Sequence, residues 1–146
     1  MAIKIGPYAG QIAFTPDGRT AYVITGGPQT RPGSVRPITV ATSKPGKLIK
    51  VGYNPGAVAV TPDGRTAYVL SYESDAVTPI DIATNTAGKA IDTGDGPRAI
   101  VITPDGKTAY VANFKSNTVT PITVATGKAG KPIRVGKQPT ALVLVP

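Results

Sequence analysis

The segment TPDGRTAYV occupies residues 15–23, returns letter for letter at residues 61–69, and returns again with one change, TPDGKTAYV, at residues 103–111. A second phrase keeps step with it: PITV at residue 37, PIDI at residue 79 and PITV at residue 121 stand 42 residues apart. The second and third TPDG are also 42 residues apart, but the first and second are separated by 46. The four extra residues fall in GGPQTRPGS, residues 26–34. Insertions are tolerated in such a Gly/Pro-rich loop because closure entropy grows slowly with length. A period of about 40 residues marks a repeat architecture, so each repeated residue answers first to the fold and only then to chemistry.

Within each period the pattern is all β. QIAFT, AVAVT and AIVIT are apolar on both alternating faces, which suits a strand covered on two sides, and these are the expected best-buried strands. The Pro-Asp-Gly that follows is a tight reversal: Pro presets φ, Asp bonds its own backbone and Gly accepts positive φ. TAYVITG, TAYVLSY and TAYVANF supply a second strand, SVRPITVAT, AVTPIDIAT and TVTPITVAT a third, and GKLIKVG, GKAIDTG and GKPIRVG a fourth. Four short antiparallel strands per unit, with no helical period, is the layout of a β-propeller blade. With the strands lettered A to D from the inside outward, the blades span about residues 9–52, 55–94 and 97–136 of a single segment covering residues 1–146.

The ends repeat each other as well. Residues 1–16, MAIKIGPYAGQIAFTP, align without gaps on residues 131–146, KPIRVGKQPTALVLVP. The chain therefore reads as an extra outer strand at residues 2–5, three blades, and an extra inner strand at residues 139–145. Propellers close with about four to eight blades, and an open arc would expose apolar faces at both ends. The expectation is ring closure by a homo-oligomer, a dimer supplying six full blades. A three-repeat chain with redundant ends is also what an excised or engineered propeller fragment would look like.

The third repeat, with YVAN at residues 110–113, SNTV at residues 116–119 and ATG at residues 125–127, closely resembles the YVTN-type β-propeller repeat. The second repeat reads YVLS and SDAV, and the first reads YVIT and has lost the polar turn to its insertion. The resemblance covers the whole chain and implies the propeller fold. The repeats it points to occur in surface-layer and secreted proteins, in domains attached to redox enzymes and in relatives of sugar lactonases.

With 40% hydrophobic residues and a net charge of +8, the chain has a globular composition. It contains no apolar run long enough to span a bilayer, so no membrane partner is expected, and MAIKIGPYAG enters strand and turn without a signal peptide. That opening fits a chain that is cytosolic or already trimmed, from a parent that the resemblance would place outside the cell or at its surface. There is no His, Cys or Trp, and Glu73 is the one Glu, so a His-activated serine, a thiol nucleophile and nearly all transition-metal sites are excluded. No catalytic residue, metal or cofactor is assigned. Asp17, Asp63 and Asp105 are one turn residue three times, and Tyr22, Tyr68 and Tyr110 one core position three times. Glu73 with Asp75 is the one close acidic pair. It could offer oxygen ligands to a hard cation, but without the spacing of a calcium loop it reads as a solvated turn.

The basic balance invites nucleic acid, yet the positives largely come from copying DG[RK] and GK, with no interleaved aromatics for stacking bases, so nucleic acid is not the expected partner. In a propeller the A–B and C–D loops share one face and the B–C and D–A loops the other. The first face repeats almost unchanged, while TGGPQTRPGS, SYESDA and NFKSNT on the second diverge. Divergent loops are free of the shared structural demand, so a ligand, protein or carbohydrate, is expected there. The candidates are Arg31, Tyr53, Asn54, Tyr72, Glu73, Asp95, Arg98, Phe114, Lys115, Lys137 and Gln138. The function expected is a non-enzymatic module that self-assembles and presents these loops. The alternative is a lactonase-like or other cation-dependent hydrolytic propeller.

Overall fold

The computed structural model describes residues 2–26 and 30–145, so Gly27, Pro28 and Gln29 of the insertion lie outside the described residues. The repeated turn explains its own spelling. Thr15 Oγ1 donates to Asp17 Oδ1 at 2.6 Å and accepts the Thr20 N–H at 3.1 Å, while Asp17 Oδ1 also accepts the Arg19 N–H at 3.0 Å. Gly18 closes the turn onto the Thr15 carbonyl at a φ of 68°. The same bonds recur from Thr61 to Thr66 and from Thr103 to Thr108, so Thr, Asp and Gly are each required for one place in a closed set.

Three sheets follow, one per repeat. The first holds β1 (Ala9–Phe14), β2 (Thr20–Thr25), β3 (Pro32–Thr39), β4 (Lys44–Pro45) and β5 (Ile49–Tyr53), with a single 3-10 turn at Val40–Thr42. The second holds β6 (Pro55–Val60), β7 (Thr66–Ser71), β8 (Ala76–Asp81), β9 (Thr86–Ala87) and β10 (Ile91–Asp92). The third holds β11 (Pro97–Ile102), β12 (Thr108–Asn113), β13 (Thr118–Thr123), β14 (Lys128–Ala129) and β15 (Ile133–Arg134). All pairings are antiparallel. The chain is an all-β partial propeller of three blades, and no helix among the described residues is long and apolar enough to cross a membrane.

Three expectations are corrected. The fourth strand of each blade is broken in two, because Pro37, Pro79 and Pro121 sit in the middle of the third strand without an N–H to give. Each proline still accepts one bond at 2.7 Å, from Gly46, Gly88 and Gly130, and the chain then bulges before pairing resumes. The best-buried strands are the second ones, β2, β7 and β12, rather than the inner ones, since the second strands lie mid-sheet and pack on neighbouring blades, and β2 also on Ile5, while the inner strands border an open groove. Residues 2–5 and 139–145 join no ladder.

The core lies between blades. Tyr22, Ile24, Val35, Ile49 and Val51 of the first pack on Val58, Ala67, Val69 and Ile80 of the second. The same positions of the second, Tyr68, Leu70, Val77 and Ile91, pack on Ala109, Val111 and Ile122 of the third. Every blade thus has a trailing face and a leading face. Alternation along the second strand separates them, with Tyr22 and Ile24 pointing one way and Ala21 and Val23 the other.

Candidate functional site

Two sets of backbone bonds define the two faces of the arc. Val40, Ile82 and Val124 donate to the carbonyls of Arg19, Arg65 and Lys107, tying C–D loops to A–B turns on one face. Tyr72 donates to the Asn54 carbonyl at 3.0 Å and Phe114 to the Gly96 carbonyl at 2.8 Å, tying B–C turns to D–A loops on the other.

On that second face the B–C turns of the second and third blades each grip two D–A loops. Ser74 Oγ accepts the Tyr53 N–H at 2.7 Å, and Asp75 Oδ1 accepts the Gly96 N–H at 2.7 Å. One repeat later Ser116 Oγ accepts the Asp95 N–H at 3.1 Å and Asn117 Oδ1 the Gln138 N–H at 2.7 Å. Asp75 and Asn117 hold left-handed φ values of 51° and 58°, which short Asx side chains tolerate. Asp75 is therefore a staple, and Glu73 turns instead to Lys115 at 3.5 Å, so the acidic pair works as two separate contacts.

Above these staples the divergent side chains meet. The Arg98 guanidinium carbon lies 4.4 Å from the Phe114 ring centre and 5.7 Å from that of Tyr72, and Lys115 Nζ stands 4.5 Å from the Tyr72 ring centre. Such contacts hold cations against aromatic faces with about 0.5–1 kcal/mol each at exposed sites. Gly96 makes room, since a Cβ there would meet Lys115 Cγ at 2.9 Å and Tyr72 Cε2 at 3.1 Å. A cleft of about 290 Å³ is lined by Asn54, Gly56, Tyr72, Pro97 and Arg98. A second, of about 460 Å³, is lined by Phe114, Lys115, Asn117, Lys137 and Gln138.

The structure thus brings Asn54, Tyr72, Glu73, Arg98, Phe114 and Lys115 together and sets Lys137 and Gln138 beside them. Tyr53 and Asp95 enter through their backbone groups, which the turns bind. Arg31 is exposed in the insertion and lines neither cleft. Gly56, Pro97 and the stapling residues Ser74, Asp75, Ser116 and Asn117 were not among the candidates. Their signal was the Ser-Asx pair held constant inside loops that otherwise differ.

Elsewhere the chemistry is sparse. The groove along the inner strands, about 320 Å³, is lined by Ala59, Val60, Pro62, Ile100, Val101, Ile102 and Leu142 to Leu144, all apolar. Among the described residues no three His, Cys, Asp or Glu side chains come together.

The fold finds its place among known proteins. Residues 6–142 match the family described as lactonase, 7-bladed beta-propeller, and the chain belongs to that family. Comparison with curated protein sequences finds no match. Among solved structures, the chain is similar to hydrazine synthase of Kuenenia stuttgartiensis, at a TM-score of 0.83 and 34% identity, over 96% of this chain and 40% of that one. It is similar in fold to a functionally unknown protein of Desulfotomaculum acetoxidans, at a TM-score of 0.80 and 20% identity over 94% of this chain and 45% of that one. U3-55K shares the fold at 13% identity and a TM-score of 0.76, over 90% of this chain and 41% of that one. The chain therefore spans less than half the length of each of these solved chains.

Proposed function

We propose that the chain works as a non-enzymatic binding module whose B–C and D–A rim receives a carboxylate-bearing ligand. One observation supports this above the rest. Arg98 is packed against Phe114 and Tyr72, with no carboxylate within ion-pair distance of it among the described residues. A guanidinium held against aromatic rings loses little freedom on binding and keeps N–H donors that match a carboxylate fork. Lys115 and Lys137 add positive charge to the neighbouring cleft, beside the carboxylates of Glu73 and Asp95. On the same reading the repeats are of the YVTN type. The Asn of that motif is the fully buried Asn113, whose amide donates to Thr118 and Thr120 Oγ1 at 3.0 and 2.9 Å and so locks the second strand to the third.

The test is calorimetric titration with a uronic-acid oligosaccharide, an acidic peptide and a neutral oligosaccharide as control. The two acidic probes separate carbohydrate from protein as the source of the carboxylate. Saturable binding of one of them, weakened at least about tenfold by Arg98→Ala, is expected. Binding lost on replacing Arg19, Arg65 and Lys107 instead would place the ligand on the opposite face. Family membership favours a second reading, lactone hydrolysis, which would have to draw on groups other than the apolar lining of the inner groove. Lactone turnover above background by the 146-residue chain would put that reading first.

A further inference from the structure

The two clefts of the rim stand at matching places one repeat apart. Tyr72 in the first corresponds to Phe114 in the second, each just after the second strand of its blade. Asn54, Gly96 and Gln138 share one position of the D–A loop, with left-handed φ values of 51°, 65° and 52°. The Asn54 amide lines the first cleft and the Gln138 amide the second, while Gly96 between them leaves room for Lys115 and Tyr72. The wall between the clefts is interleaved. Arg98 lines the first cleft, yet its guanidinium lies on the ring of Phe114, which lines the second. Lys115 lines the second, yet its ammonium lies on the ring of Tyr72, which lines the first. The clefts are therefore halves of one trough that crosses from the second blade to the third.

The charged side chains of this rim are Arg98, Lys115 and Lys137 with Glu73 and Asp95. Lys115 is held by Glu73 at 3.5 Å, and Asp95 is exposed on the loop that carries Arg98. Arg98 and Lys137 make no ion pair among the described residues, so each half of the trough keeps one free cation. The backbone offers much less. Glu73 and Lys115 donate their N–H groups to the Tyr53 and Asp95 carbonyls, in addition to the bonds of Tyr72, Phe114 and the Ser-Asx staples. A bound peptide adds a strand to a free sheet edge, lays a helix in an apolar groove, or sets an acidic motif on a cluster of arginines. Here the rim backbone is used, the trough is polar, and the free cations are one to a half. Rings for apolar faces, amides for hydroxyls and separated cations for carboxylates suit sugar units in a row.

We propose that the two halves are successive subsites for one linear oligosaccharide that carries carboxylates on more than one sugar, laid across the rim from the second blade to the third. One carboxylate meets the Arg98 guanidinium and another the Lys137 ammonium, with the sugars between them over the interleaved wall. This deepens the carboxylate reading of the rim and rests on it. Once the first carboxylate is held, the second contact is made within the complex, so affinity rises with ligand length and not merely with charge.

Calorimetric titration of the chain with galacturonic acid, its linear tetramer and a peptide of four acidic residues tests this at one fixed ionic strength. The tetramer should bind one to a chain and at least about tenfold tighter than the monomer, beyond the roughly fourfold that four equivalent carboxylates give a single site by statistics. Lys137→Ala, at an exposed position and so compatible with folding by circular dichroism, should remove most of that gain. Lys44→Ala, an equal loss of charge at an exposed position in the C–D segment, should leave it in place. Tetramer binding that depends on Arg98 but shows no gain over the monomer, or two tetramers to a chain, would overturn the shared trough and leave a single carboxylate site standing. The acidic peptide binding as tightly as the tetramer, with the same loss in Lys137→Ala, would overturn the sugar as ligand. No binding of any of the three would overturn both this proposal and the carboxylate reading beneath it.

Discussion

Glycine 94 and glycine 136 are the same residue of two consecutive blades, and their substitutions should behave differently. A Cβ at Gly94 would press on Ser116 Oγ, Asn113 Nδ2 and Thr118 Oγ1 at 2.5 to 2.7 Å, so Gly94→Ala should cost about 1–3 kcal/mol in urea unfolding, as overpacking does. Gly136→Ala, where a Cβ would meet nothing, should leave the unfolding midpoint unchanged. Tyr22 offers a second internal control. Its hydroxyl donates to Asn85 Oδ1 at 2.6 Å on the next blade, whereas the turn opposite Tyr68 carries Gly127 at the matching position. Tyr22→Phe should therefore lose about 0.5–1.5 kcal/mol and Tyr68→Phe less. Burial, helped by the nearby charge of Asp81, pushes the Tyr22 hydroxyl up to about 12 from 10.0, and a raised acid favours folding only while protonated. Stability should hold below pH 10 and fall as the pH rises from there towards 12, with a smaller fall in Tyr22→Phe. The three turn aspartates titrate the other way. The Thr hydroxyl and a backbone N–H hold Asp17, Asp63 and Asp105 below the usual 3.8, so their contribution is present above that pH and fades as acid protonates the folded form. In a carboxyl NMR titration, Thr61→Val should move Asp63 up towards 3.8 and leave Asp105 in place.

At the scale of elements, the strands and their turns were legible because one physical requirement recurs three times. The TPDG turn needs its hydroxyl, carboxylate and positive φ together, so three copies name the hairpin without reference to anything distant. The break in the fourth strand was equally written, in Pro37, Pro79 and Pro121, but reading it required knowing which edge of the third strand each proline N faces. The relative burial of inner and second strands was not legible, because it depends on how far the ring has closed rather than on local pattern. For the candidate site, divergence between repeats singled out one rim, and Tyr72, Arg98, Phe114 and Lys115 lie together on it. Divergence could not separate side chains that face the cleft from Tyr53 and Asp95, which the turns hold by their backbone. It also passed over the constant Ser-Asx staple. Replacing Asp75 with Ala should free the Gly96 N–H and loosen the loop that carries Arg98. Amide exchange at residues 94–98 should quicken while that of residues 52–54, held by Ser74, stays slow.

For the whole molecule, the three blades are alike in sequence and unlike in exposure, and the difference tracks position along the arc. The middle blade packs against a blade on both faces, the first and third on one face each; on the remaining face of the first Ile5 is packed, and on that of the third Ile133 and Val135 stand exposed. Hydrogen exchange read by mass spectrometry measures this directly, since protection reports how often each segment opens. The account predicts that residues 57–60 and 91–93 of the middle blade exchange slowly while the matching residues 11–14 and 133–135 exchange fast. Protection at residues 11–14 and 133–135 equal to that of the matching middle-blade residues would contradict it.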